Sequence, residues 1–322
     1  MKSRSMIYTA AVTMAFALLS GSPPLAQQQQ QQQTPQGASA IKPSSTEPVS
    51  LSVAVTDQQG QALTGLKQED FKVYENGVEQ TINSFSAGDS PISWGLVLDR
   101  SDADQKIVDD VYPSAFHVIF EKADRDEAFL VAFDDQVKML SDFTSNYGQL
   151  LGALSRTRPG RRAALYDAVA FGLNHVRQGK NRKKALVVIT DGGDDGSKIT
   201  FRQLLERASR EGIPTYIVGI TESLSLKPPR SKGGDWQRGL KKLAEATGAH
   251  AHFPNEMSQC EAAMKAMAEE VDRQYHLEYR SNNPARDGKW RKITAVVIRE
   301  RGKDTARVIQ TRAGYFAAKE KR

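Results

Sequence analysis

Two carboxylates in this chain stand where apolar runs end. The run Gly95–Leu98 leads into Asp99-Arg100-Ser101-Asp102-Ala103, and the run Ala185–Thr190 leads into Asp191-Gly192. Two strands that each deliver an acid at the C-terminal end indicate an open α/β sheet with a polar site at its rim. The chemistry on offer there is oxygen donation from Asp99, Ser101 and Asp191. Nothing in the sequence supplies a nucleophile with a partner base. There is no Gly-x-Ser-x-Gly elbow, no phosphate-binding Walker loop and no Gly-x-Gly-x-x-Gly. Catalytic residues are therefore not assigned, and the reading is that of a protein that is not an enzyme.

The elements that must hold these residues alternate. The pattern predicts strand 93–98, helix 104–121, strands 127–133 and 136–140, and helices 146–154 and 163–177. It continues with strand 185–190, helix 200–211, strand 214–220, helix 235–247, strand 250–253 and helix 257–273. Such alternation implies a doubly wound, mainly parallel sheet covered by helices on both faces. On either side the pattern changes to β. Leu51–Thr56 alternates apolar and polar residues, Phe71–Tyr74 runs into a Glu75-Asn76-Gly77 turn, and Val78–Phe85 follows as one strand. His276–Tyr279, Lys292–Arg299 and Arg307–Thr311 form the tail. The tail strands are too few to fold alone. The expectation is a β segment 49–90 that pairs with 274–318 in one small sandwich, with the α/β body 91–273 inserted between them.

The chain begins as an export signal does. Lys2 and Arg4 precede the apolar segment Met6–Leu19, with cleavage expected after Ala26; the alternative is retention as an anchor. Residues 27–48, rich in Gln, Pro, Ser and Thr, are expected to form a flexible linker. Beyond the signal region no run approaches transmembrane length. The predicted location is periplasmic or secreted. Cys260, the single cysteine of 322 residues, cannot form an internal disulfide and is expected to pack inside a helix. The formal charge of +6 is mild and does not imply a nucleic-acid partner.

Several local motifs carry a family resemblance. They are Asp99-x-Ser101, Ala164-Leu165-Tyr166-Asp167-Ala168, Val188-Ile189-Thr190-Asp191-Gly192, Ile217-Val218-Gly219-Ile220, and Leu243-Ala244 followed by Thr247-Gly248. Together, over roughly residues 91–273, they resemble the von Willebrand factor type A domain, a Rossmann-type fold. The flanking Val53-x-Val55-x-Asp57, Asp70-Phe71-x-Val73-x-Glu75-x-Gly77 and Gly314-Tyr315 are similar to exported proteins of that family found in Acidobacteria.

The resemblance implies a metal-ion-dependent adhesion site. In it an Asp, two Ser hydroxyls, a Thr hydroxyl and a second Asp surround Mg²⁺ or Mn²⁺, and an acidic residue of the partner completes the shell. Carried over to this chain, Asp99, Ser101 and Asp191 are present. The second Ser position is Ala103 and the Thr position is Ala163, neither of which has a side-chain oxygen. The implied Mg or Mn site is thus incomplete and weakened. Arg161-Arg162 stands where the family has small residues, and Arg100 lies inside the first motif. Paired carboxylates repel unless a cation lies between them. One reading therefore places a guanidinium, Arg162 foremost, between Asp99 and Asp191; the other leaves Arg161 and Arg162 as solvated loop residues. Asp102, Asp104, Asp194 and Asp195 are candidate substitute ligands, although Asp194-Asp195 also suits capping before the helix at Thr200. The function implied is adhesion or complex assembly with a protein partner. Arg100, Arg161 and Arg162 are its candidate binding residues, which would favour an acidic partner. Two alternatives are a working metal-dependent adhesion module and an envelope structural protein that binds through its sandwich.

Overall fold

A computed structural model describes residues 47–57, 59, 61–88, 90–101, 107–120, 125–224, 235–298 and 308–320. The expected signal segment, nearly all of the linker, Asp102, Ala103 and Asp104 lie outside the described residues.

The chain opens with β1 (Pro48–Thr56), β2 (Phe71–Glu75), β3 (Val78–Gln80) and β4 (Ile82–Ser86). The α/β body follows as β5 (Ile92–Asp99), α1 (Tyr112–Phe120), β6 (Glu127–Phe133), β7 (Val137–Thr144), α2 (Tyr147–Leu154) and α3 (Leu165–Val176). It continues through β8 (Lys183–Thr190), α4 (Phe201–Glu211), β9 (Thr215–Gly219), α5 (Asp235–Ala246), β10 (Ala251–His252) and α6 (Met257–Arg273). The chain then returns to β with β11 (Tyr275–Arg280), β12 (Trp290–Val297), β13 (Val308–Gln310) and β14 (Gly314–Phe316).

The central sheet has the order β10-β9-β8-β5-β6-β7, parallel except for β7. Every residue of β5, β6 and β9 is buried, and of β8 only Lys184 is not, as expected for strands covered on both faces. Side chains of α1, α2 and α6 fill one face around Trp94, Leu96 and Phe116. Those of α3, α4 and α5 fill the other around Val97, Phe129 and Leu186. From β5 the chain winds outward through β6 to β7; from β8 it winds the opposite way to β9 and β10. The order therefore reverses between β5 and β8, and the loops leaving these two strands part toward opposite faces. Open α/β sheets bind ligands at such a point.

Two four-stranded sheets, β13-β1-β11-β4 and β14-β12-β2-β3, lie beside the body. β1 runs antiparallel to β11, and β2 to β12, so strands from both ends of the chain share each sheet. Leu51, Val53, Val73, Leu277 and Tyr279 are fully buried between the sheets. The stretch 78–85 is not one strand, contrary to the sequence expectation. It breaks at Thr81, and β3 pairs with β2 while β4 pairs with β11. The break lets one short stretch serve both sheets, and alternation alone does not mark it.

Lys183 joins body and sandwich. Its ammonium, 3% exposed, donates to Gly88 O at 2.5 Å, Val271 O at 2.7 Å and Asp272 O at 3.3 Å. These carbonyls lie where the chain passes into β5 and where it leaves α6. Cys260 is buried in α6, and burial pushes its thiol pKa up to about 11, so it is a packed, unreactive residue.

Candidate ligand-binding rim at the strand-order reversal

Asp99 ends β5 opposite Thr190, the last residue of β8. It is 5% exposed, and both of its carboxylate oxygens accept hydrogen bonds. Oδ1 takes the Ser101 backbone N–H at 2.9 Å and the Ser101 hydroxyl at 2.5 Å. Oδ2 takes the Thr190 hydroxyl at 2.7 Å. The Asp99 carbonyl accepts from the buried Tyr112 hydroxyl of α1. Burial first, and the charge of Asp191 second, push the Asp99 carboxyl up to about 7. The hydrogen bonds from Ser101 and Thr190 oppose that shift without cancelling it.

Asp191 follows directly after Thr190 and turns its Oδ1 onto Gly193 N at 2.9 Å. Gly192 has φ +80°, and a Cβ there would collide with the Trp236 ring, so this turn requires glycine. Trp236, in the first turn of α5, stacks edge-on against Phe253 with ring centres 5.4 Å apart.

The loop before α3 forms the other lip. Gly160 N donates to Arg100 O at 3.0 Å, and Ala164 N donates to Asp134 O at 2.7 Å. Ala163 is fully buried. Asp195 Oδ1 accepts from Ala163 N at 2.8 Å, while Asp195 N and Gly196 N donate to Ala163 O. Asp194 Oδ1 accepts from Tyr166 N at 3.1 Å in the first turn of α3. Asp167 returns the exchange by accepting from Lys198 N and Ile199 N. The two loops are thus laced by carboxylates. Asp194 caps α3 and not, as the sequence suggested, the helix at Thr200; Thr200 caps α4 itself with Gln203 in a reciprocal box.

The candidate residues divide in this frame. Asp99, Ser101 and Asp191 occupy adjoining positions at the ends of β5 and β8. Arg162 does not stand between Asp99 and Asp191. Its guanidinium, 61% exposed, donates to Asp195 O and lies 4.0 Å from Asp195 Oδ1. The reason is the lacing, which brings Asp195 beside Arg162 while Asp99 is engaged by Ser101 and Thr190. Arg161 is exposed. Arg100 is not part of the open rim: it is 3% exposed, its Nη2 donates to Thr157 O at 3.2 Å, and its Nε and Nη1 have no hydrogen-bond partner among the described residues. Burial lowers its pKa.

Among the described residues the donor set falls short of a full Mg²⁺ or Mn²⁺ shell. Asp99, Ser101 and Asp191 offer oxygens, Ala163 offers none, and Asp194 and Asp195 are committed to backbone amides. Among the described residues no group of three or more acids, histidines or cysteines could hold a metal. Sequence reasoning missed Thr190 as a site residue. Its signal was its place just before Asp191, on the strand neighbouring Asp99.

The family model for the von Willebrand factor type A domain matches residues 95–266. Similar solved structures include a von Willebrand factor type A protein from Catenulispora acidiphila, 11% identical, over 85% of this chain and 75% of that one, at TM-score 0.48. An aerotolerance-related membrane protein from Bacteroides fragilis is 16% identical over 56% of this chain and 98% of that one, at 0.45. The corresponding domain of the type V pili tip protein Mfa5 from Porphyromonas gingivalis is 10% identical over 57% and 96%, at 0.44. Such scores add nothing to the family match. No curated protein matches the chain. With the reversal point and its two carboxylates in place, the chain belongs to the von Willebrand factor type A domain family and has its fold, flanked by additional antiparallel sheets.

Proposed function

We propose that this protein is a non-catalytic binding module, exported as one of the Acidobacterial type of these proteins, whose adhesion site has lost its metal dependence. The observation that carries the reading is that both oxygens of Asp99 are engaged by Ser101 and Thr190 while Ala163 takes the place of a donor. The rim then works as a fixed platform, and partner recognition passes to the groups standing above it. Arg161 and Arg162 are exposed there, and their charge favours acidic side chains of a protein partner. Arg100 contributes from below by holding the lip at Thr157 and Gly160. The Lys2, Arg4 and Met6–Leu19 leader supports action outside the cytoplasm.

The test is binding of a fluorescent Asp/Glu-rich peptide to the full chain, with and without a chelator. Expected is chelator-insensitive binding that Arg161→Glu/Arg162→Glu weakens at least tenfold. Binding that vanishes on chelation, or that survives the double reversal, overturns the reading.

A further inference from the structure

We infer a second binding site, for a small multivalent oxyanion, at the pole of the α/β body opposite the rim. A cavity of about 310 Å³ opens there between the N-terminal ends of the central strands and the sandwich. That volume lies at the lower end of the range of small-molecule pockets. Five cations line it against three carboxylates, Glu47, Glu211 and Glu278.

The cations fall into two groups. Arg177, at the C-terminal cap of α3, pairs with Glu211 at 2.9 Å, and Lys180 lies 3.6 Å from Glu127. Arg182, Lys184 and Arg210 make no ion pair among the described residues. Arg182 donates to the Ser84 hydroxyl at 3.0 Å. Lys184, near the start of β8, donates to the Gly179 and Asn181 carbonyls. Burial lowers its pKa, and the charges of Glu278 and Glu127 oppose that shift without cancelling it. Arg210, in the last turn of α4, is exposed and has no side-chain hydrogen bond among the described residues.

The facing sheet supplies only part of the balancing charge: Glu278 acts electrostatically on Arg182 and Lys184, but among the described residues it forms an ion pair with neither. Glu278 on β11 is already held by the Ser50 hydroxyl at 3.3 Å and His276 at 3.4 Å. Five cations against three carboxylates leave the lining net positive, and Arg182, Lys184 and Arg210 converge on the one concavity from the start of β8 and from α4, so an anion among them relieves their mutual repulsion. Two guanidiniums and an ammonium match a ligand with at least two anionic oxygen groups, since planar forks take carboxylate or phosphate through paired donors. Ser50 and Asn181, also in the lining, add neutral polar groups. Hydrocarbon or cationic ligands do not fit such walls.

The site is independent of the rim and can be tested separately. Pyrophosphate and citrate are titrated calorimetrically into the full chain at low ionic strength, with chloride as control. Expected is saturable one-to-one binding of at least one of them, weakened tenfold or more by Arg182→Gln/Arg210→Gln and unchanged by Arg161→Gln/Arg162→Gln. The same anion raises the melting temperature of the wild type but not of the Arg182/Arg210 variant. Both of these side chains lie at the surface, so the variant folds, which its circular dichroism verifies. Absence of saturable heat, equal binding by the Arg182/Arg210 variant, or loss of binding in the rim variant overturns the proposal. So does binding of an acidic tetrapeptide with neither small anion bound.

Discussion

Thr190 Oγ1 donates to Asp99 Oδ2 at 2.7 Å and accepts from Gly192 N at 3.0 Å, so one hydroxyl ties the ends of two neighbouring parallel strands to the turn beyond them. The bond fixes the Asp99 carboxylate in a buried position close to Asp191. In this arrangement the charge on Asp99 is costly, and four predictions concern its neighbourhood and the frame that holds it.

Stability depends on pH through Asp99. Its folded pKa, about 7, lies above the ordinary 3.8. Below about pH 4 the carboxyl is protonated in folded and unfolded chains alike, and the full contribution is present. Between about pH 4 and 7 the unfolded chain ionises while the folded one retains its proton, so stability falls as pH rises and levels off above 7. Asp99→Asn cannot ionise. At about 1.4 kcal/mol per pKa unit, its stability relative to wild type is expected to improve by roughly 4 kcal/mol between pH 4 and pH 8. Urea unfolding of both proteins across that range measures it; parallel curves would show that Asp99 does not titrate as described.

Restoring the missing hydroxyls is expected to restore metal binding. Ala103→Ser/Ala163→Thr is predicted to bind Mg²⁺ or Mn²⁺ in calorimetry where the wild type does not. Because Asp99 must lose its proton to bind metal, the affinity of the double variant is expected to be about tenfold lower at pH 6 than at pH 8. Tight binding by the wild type would mean that other oxygens complete the shell.

Gly192→Ala is predicted to destabilise by roughly 1–3 kcal/mol, because it adds strain at φ +80° and a clash with Trp236. Gly152, inside α2 with open space around it, is the control. Gly152→Ala is expected to be neutral or to stabilise by up to about 1 kcal/mol. Thermal melts of the pair decide between a local requirement and a general intolerance of alanine.

Lys183→Met is expected to cost roughly 2–4 kcal/mol, because it removes the donor shared by Gly88, Val271 and Asp272 carbonyls. Hydrogen exchange should rise most in residues 271–280, where α6 passes into β11. Uniform acceleration across the chain would show that Lys183 contributes only global stability and does not join body to sandwich.

The alternation of apolar strands and amphipathic helices, the acids closing Leu98-Asp99 and Thr190-Asp191, and the alanines at 103 and 163 are all legible in the sequence. Hydrophobic period and turn chemistry are local properties, and strand ends in an open α/β sheet converge on one rim. The tertiary structure decided what the local pattern does not encode. It split 78–85 between two sheets, gave Thr190 to Asp99, turned Arg162 to Asp195, buried Arg100 and gathered Arg182, Lys184 and Arg210 around one cavity. Each of these depends on which remote segment packs alongside. A charged side chain takes the nearest partner that the packed backbone presents, and that neighbour is set by chain reversal and loop lacing.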